Sequence, residues 1–213
     1  MYYFCKALVW IYMHIAYRLR YKGRKNIPKR TAVIYASNHR SYADPPLVGA
    51  GGRGKYAFMA KEELFRNKFF SLLIRSLGAF PVSRGKGDTE VIDRAVEKLS
   101  QKRSLMIFPE GTRSKDGKVG RGHGGAALIS ARSGCLIVPV GIVYGEKLRF
   151  RSKLQVIYGE PIDPAEYVTI GDEPNPRQLV RLKKRYMADI KRLVEGEPEK
   201  NTETVTEGGT ENE

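Results

Sequence analysis

The stretch Asn38-His39-Arg40-Ser41-Tyr42-Ala43-Asp44-Pro45-Pro46 places an imidazole five residues before a carboxylate, and His39 is one of only three histidines in the chain. An imidazole that gives one ring N–H to a carboxylate is held in one tautomer, and its other nitrogen can then act as a general base. In a helix, residues five apart are rotated by ~140° and do not share a face. Pro45 disfavours helical geometry at Asp44, so the spacing predicts a turn that runs into a helix starting at Pro45. The same residues have a purely structural reading, in which Asp44 caps that helix and His39 is a polar residue at a strand end.

Three other stretches offer chemistry of a compatible kind. Residues 60–65, AKEELF, supply Lys61. Residues 78–85, GAFPVSRG, supply Arg84 in a Gly-rich turn, and residues 108–114, FPEGTRS, supply Glu110, Gly111, Thr112 and Arg113. Lysine and arginine hold phosphate, arginine with two parallel N–H donors. One histidine, two carboxylates and three cations therefore wait on four loops.

The elements that must position these loops read as alternating strands and helices. Apolar or β-branched runs at 31–37, 55–60, 78–82, 104–108, 136–144 and 153–159 predict strands. Helical spacing predicts helices over 66–77, 88–101 and 124–134, and a last one from about Pro176. This alternation predicts a single α/β domain with a mostly parallel or mixed sheet flanked by helices. In such a sheet, ligands bind in the crevice beyond the strand ends, where all four loops fall. The expected organisation is a helix and basic flank over 1–27, one domain over 28–194 and an acidic tail over 195–213. With strands starting at about Thr31, residues 1–25 look dispensable for the fold.

Composition narrows the function. The tail has seven glutamates and one lysine, a charge of −6, so the formal +15 of the whole chain leaves +21 on residues 1–194. So basic a body suits an anionic partner: a lipid surface, a phosphorylated substrate or nucleic acid. The tail is too poor in apolar residues to build a core and is expected to be disordered. Two unclustered cysteines, Cys5 and Cys135, give neither a disulfide framework nor zinc spacing, and suit a reducing compartment. The three histidines lack metal-ligand spacing, so no metal is expected. Residues 2–17 are apolar almost all round, rich in Tyr and Trp, and followed by Arg18, Arg20, Lys22, Arg24 and Lys25. This run is shorter than the ~20 residues a spanning helix needs. It lacks the basic-then-apolar order of a signal peptide. The expectation is a helix lying in or dipping into the cytoplasmic leaflet of the cell membrane, with its basic flank on anionic headgroups. A nucleic-acid-binding protein is the rival on charge alone; no nucleic-acid-binding motif is present.

Taken in order, the four stretches resemble the sequence blocks of the glycerolipid acyltransferases, specifically the 1-acylglycerol-3-phosphate acyltransferases. The blocks are His39-x4-Asp44; Gly78-x-Phe80-x-x-x-Arg84; Phe108-Pro109-Glu110-Gly111-Thr112-Arg113; and the apolar strand carrying Val138-Pro139. The resemblance covers about residues 30–160. It implies acyl transfer from a thioester, either acyl-CoA or acyl carrier protein, to the sn-2 hydroxyl of lysophosphatidate, with no cofactor. The absence of a Gly-x-Ser-x-Gly elbow, or of a cysteine beside a histidine, agrees with direct attack by the acceptor. His39 is then the expected base and Asp44 its orienting partner. Lys61, Arg84 and Arg113 are expected on the phosphate, Glu110 and Gly111 at the glycerol backbone, Thr112 among the substrate-binding residues, and backbone N–H groups near 109–113 on the oxyanion. Glycerol 3-phosphate or another lysophospholipid is the alternative acceptor. The chain departs from the family pattern after the third block: RGHGG (121–125), with His123, stands where many members carry Phe-Lys-x-Gly.

Overall fold

The computed structural model describes residues 2–82 and 88–196. Among the described residues, six α-helices and seven strands form one α/β unit: α1 Tyr2–Ala16, β1 Arg18–Lys22, β2 Ile34–Ser37, α2 Asp44–Gly51, β3 Lys55–Lys61, α3 Lys68–Ser76, β4 Ala79–Val82, α4 Asp88–Ser100, β5 Arg103–Ile107, α5 Gly125–Ser133, β6 Ile137–Tyr144, β7 Lys153–Tyr158 and α6 Pro176–Glu195. The expected class stands, and the element limits agree with the sequence to within a few residues.

All strands join one mixed sheet in the order β1-β7-β6-β2-β5-β3-β4. β6, β2, β5, β3 and β4 run parallel, while β7 turns back against β6 and β1 lies parallel to β7. Parallel strands are covered on both faces and so read as continuous apolar runs. β2 is the clearest case, with all four residues buried. Its side chains alternate between two cores. Ile34 and Ala36 face a core built with α4, α5 and α6, through Ala95, Ile129 and Tyr186. Tyr35 faces the opposite core, with Leu47 and Val48 of α2 and Met13 of α1.

The second core is rich in tyrosine, and this fixes α2. Tyr35 lies 5.5 Å from Tyr56 and 5.9 Å from Tyr158, centroid to centroid. Tyr158 donates to the Val48 carbonyl (2.7 Å) and Tyr21 to the Leu47 carbonyl (3.0 Å). A side chain at Gly51 would collide with the Tyr21 ring, so glycine lets the last turn of α2 settle on this cluster. The helix thus pinned begins at Asp44.

The N-terminal region differs from expectation in one respect. Residues 18–22, expected as a basic flank, form β1, registered along β7 from Arg18↔Lys153 to Lys22↔Ile157. Leu19 is buried while Arg18, Arg20 and Lys22 face solvent, the pattern of a charged edge strand. Strands therefore start at Arg18, not Thr31, and deleting residues 1–25 would remove β1 and the buried Met13, Ala16 and Leu19. α1 packs through Met13 and Ala16. Lys6 donates to the Gly52 carbonyl at 2.9 Å, and burial pulls its amine down to about 8. The acidic tail from Glu197 and residues 83–87, with the expected phosphate ligand Arg84, lie outside the described residues.

Burial raises the ionisation of Tyr35, Tyr56, Tyr158 and Tyr186 above the ordinary tyrosine value. The native state then keeps protons that the unfolded chain releases near pH ~10, so this stability is intact below that pH and lost as pH rises above it. An alkaline titration should show two phases of tyrosinate absorbance, the exposed rings first and the buried ones together with loss of secondary structure. A single phase on a protein that stays folded would contradict this packing.

Candidate active site

β2 stands at the middle of the sheet, and its C-terminal end feeds the loop carrying His39. Asn38, buried, extends the strand by side chain alone. Its amide donates to the Ile142 carbonyl (3.0 Å) and accepts from the Ile142 N–H (2.7 Å), which locks the loop root to β6. The chain then turns sharply, and Asp44 Oδ2 draws in three nitrogens. The Arg40 N–H lies at 2.6 Å, the Ser41 N–H at 2.7 Å and His39 Nδ1 at 2.7 Å. An ionised carboxylate only accepts, so Nδ1 carries the proton of this bond, and in the neutral imidazole Nε2 keeps its lone pair. Asp44 is fully buried, whereas the His39 side chain keeps 19% of its surface exposed, so the ring can be reached from solvent. Phe108 stacks on that ring at 4.1 Å and 20°. The capping alternative is not what forms: α2 has no side-chain cap, and its Asp44 carboxylate turns back to the loop.

β5 lies beside β2, and its exit loop supplies Glu110. One carboxylate oxygen accepts from the His39 N–H (3.0 Å), the other from the Gly120 N–H (2.9 Å). Glu110 is buried. Expected to face substrate, it is engaged with the backbone of two loops. The Ser114 N–H reaches the His39 carbonyl at 2.8 Å and completes the lacing. Gly111 sits at φ 68, the left-handed region that glycine enters at little cost. His123 lies alongside, its N–H on the Pro109 carbonyl (2.8 Å) and its carbonyl held by the Tyr186 hydroxyl (2.9 Å). Of the backbone groups at 109–113, Pro109 has no N–H and that of Gly111 is turned to Phe108.

The structure brings His39, Asp44 and the 110–113 loop together. The Arg113 guanidinium lies 3.7 Å over the Tyr42 ring, on the dyad's own loop. Lys61, exposed at the end of β3, is two strands from β2 in the order β2-β5-β3, or about 10 Å at the usual strand spacing. Sequence reasoning missed Arg40, which donates to the carbonyls of Tyr144 (2.8 Å) and Gly145 (3.0 Å) and so ties the dyad loop to the end of β6. It also missed Lys118 and Arg121. Together with Glu110 and Thr112 they line a shallow cavity of about 370 Å³. Nothing in the local sequence marks these three, because the side-chain partners of Arg40 are 104 and 105 residues away and Lys118 and Arg121 belong to a loop whose path only the sheet determines.

A histidine–carboxylate pair beside a Phe-Pro-Glu-Gly-Thr-Arg loop at parallel strand ends can be compared with known proteins. The acyltransferase family model matches residues 18–143, from the first residue of β1 into β6. The chain belongs to the acyltransferase family. Among its relatives, the 1-acyl-sn-glycerol-3-phosphate acyltransferase of Streptococcus pneumoniae is 34% identical over 160 residues, 72% of this chain and 59% of that protein. The protein of the same description from Bacillus subtilis is 27% identical over 198 residues, 91% of this chain and 96% of that one. The chain thus spans well under two thirds of the pneumococcal acyltransferase and nearly all of the Bacillus one. The crystal structure of the 1-acyl-sn-glycerophosphate (LPA) acyltransferase PlsC from Thermotoga maritima superposes with a TM-score of 0.74 at 27% identity, covering 91% of this chain and 78% of that one.

In this chain, Glu110→Gln should not preserve the brace. Whichever way the amide is turned, an NH₂ meets a backbone N–H, and one buried donor is left unpaired at a cost of about 1–3 kcal/mol. Chemical denaturation should show that loss. A glutamine variant as stable as the parent would contradict the bonding.

Proposed function

We propose that the chain is a 1-acylglycerol-3-phosphate O-acyltransferase, moving a fatty acyl group from acyl-CoA or acyl carrier protein to the sn-2 hydroxyl of lysophosphatidate to give phosphatidate. The observation that carries this reading is the His39–Asp44 pair at 2.7 Å. It stands at the strand ends of a chain belonging to the acyltransferase family. Relatives named for this reaction support the choice of acceptor.

In the mechanism, His39 Nε2 takes the proton of the acceptor hydroxyl as its oxygen attacks the thioester carbonyl carbon. The new C–O bond forms, the tetrahedral intermediate collapses, the C–S bond breaks, and the imidazolium returns the proton to the departing thiolate. Asp44 holds the ring in the required tautomer and stabilises its positive form, as in serine-hydrolase triads. No residue of the enzyme is acylated. The N–H groups of Glu110, Thr112 and Arg113 face the developing oxyanion. Arg113, Lys61 and Arg84 hold the acceptor phosphate, and Gly111 and Thr112 border the glycerol. Glu110 acts through the loops it braces. No cofactor or metal takes part.

The acceptor's single acyl tail belongs to a bilayer, and the chain is read as a peripheral or monotopic protein of the cytoplasmic membrane face. Among the described residues no helix is long and apolar enough to cross a membrane. α1 nonetheless exposes Phe4, Leu8, Ile11, Tyr12 and Ile15 on one side. That face, and the basic residues of 18–25, fit an anionic leaflet.

Transfer to lysophosphatidate by the purified chain is the direct test. His39→Ala should abolish it and Asp44→Asn should lower kcat by orders of magnitude: an amide oxygen in the place of Oδ2 can still accept the three N–H groups, but the negative charge that stabilises the imidazolium is gone. Near-parental turnover by the asparagine variant would overturn the dyad. Arg113→Ala and Lys61→Ala should raise KM for lysophosphatidate and narrow its advantage over neutral monoacylglycerol. An unchanged preference would remove the phosphate role.

A further inference from the structure

α3, with its lead-in, is turned inside out for a helix on a water-exposed surface. An amphipathic helix normally lays its apolar stripe on the core. Here Ile74 alone of the helix is buried. Phe69 is 87% exposed, Leu72 65% and Leu73 50%. These three fall on one helical face, roughly opposite Ile74 by the ~100° step per residue. The helix is not loosely made: Asn67 caps it, its side chain accepting from the Phe70 N–H at 3.0 Å. An outward apolar face on a capped helix is a contact surface.

Its surroundings decide the occupant. Arg66 and Lys68 are exposed at its start, and Arg75, over the Phe65 ring at 4.7 Å, flanks it. The only carboxylates nearby in sequence are Glu62 and Glu63, before the helix. The body as a whole carries +21 ahead of its acidic tail. Apolar rings and leucines rimmed by cations match a bilayer with anionic headgroups. The face also adjoins that of α1, since the Ser76 hydroxyl at the end of α3 touches the Cys5 sulfur of α1 at 3.8 Å. α3 starts just beyond the C-terminal end of β3, and α1 ends beside β7, whose first residues register with the end of β6 (Tyr144↔Leu154). Both helices therefore have one end at the strand edge that carries His39.

We propose that α3 is a second membrane-contacting element, in which Phe69, Leu72 and Leu73 enter an anionic bilayer surface beside α1 and hold the strand-end edge of the sheet against the lipid. This rests on the reading of the chain as an enzyme acting at a membrane.

The test uses the full chain. Phe69→Trp in a Trp10→Phe background places a lone indole on α3. With vesicles of phosphatidylglycerol and phosphatidylcholine, its emission should shift to the blue and be quenched by lipids brominated on the acyl chains. Serine at 69, 72 and 73 together should weaken partitioning about tenfold or more, since three exposed apolar side chains are removed from the buried area. The melt should stay unchanged, because none of the three is buried. An unquenched indole on a vesicle-bound protein would overturn the proposal. So would a serine variant that partitions like the parent, or one that turns a parental dimer into a monomer without altering vesicle binding, which would make a second copy the occupant. Transfer to a short-chain lysophosphatidate below its micellar concentration separates the two readings. The serine variant should keep this soluble activity. Its absence from the parental protein would undo the functional reading while leaving the vesicle result to judge α3.

Discussion

A fully buried carboxylate oxygen that gathers three N–H donors sets the terms for this structure. Asp44 Oδ2 holds two backbone N–H groups and one imidazole nitrogen within 2.6–2.7 Å. Such a group is costly to bury unless its partners are held in place. The structure meets that demand from both sides of the turn. On one side, α2 is pinned by tyrosine hydroxyls on the carbonyls of Leu47 and Val48, so its first residue cannot drift. On the other, Asn38 anchors the end of β2 to β6, and Arg40 repeats the tie beyond the end of that strand.

Glu110 brings the second loop into the same frame. By bridging the N–H groups of His39 and Gly120, it sets the distance between the base and the loop proposed to receive the oxyanion and the phosphate. The parallel arrangement of β2, β5 and β3 explains why these pieces meet at all, since every exit loop emerges at one edge. Cations spread along that edge, from Arg113 beside the dyad to Lys61 two strands over, give it a positive rim without any acidic partner for Lys61 among the described residues.

Much of this could be read in the sequence, for physical reasons. Pro45 forced a turn between His39 and Asp44, and the doubly buried strands β2, β5 and β6 wrote themselves as unbroken apolar runs. β1 was missed because Arg18-Leu19-Arg20-Tyr21-Lys22 looks like a basic flank until its alternation is set against a partner strand. Glu110 was seen but given a different task, since no local pattern says that a glutamate will turn to the backbone of a residue 71 positions earlier. The apolar face of α3 was legible as a helical stripe, but its outward direction depends on which side the sheet lies. Arg40 was invisible for the same long-range reason.

The central claim is that Asp44 holds His39 with its proton on Nδ1 and Nε2 bare toward the acceptor. Nitrogen-15 NMR of the imidazole in the resting protein measures this directly. The account predicts a slowly exchanging, strongly downfield Nδ1–H and, in the neutral ring, an unprotonated Nε2, the minority tautomer of free histidine in water. A ring found mainly as the Nε2–H tautomer, or one averaging freely between the two, would contradict it.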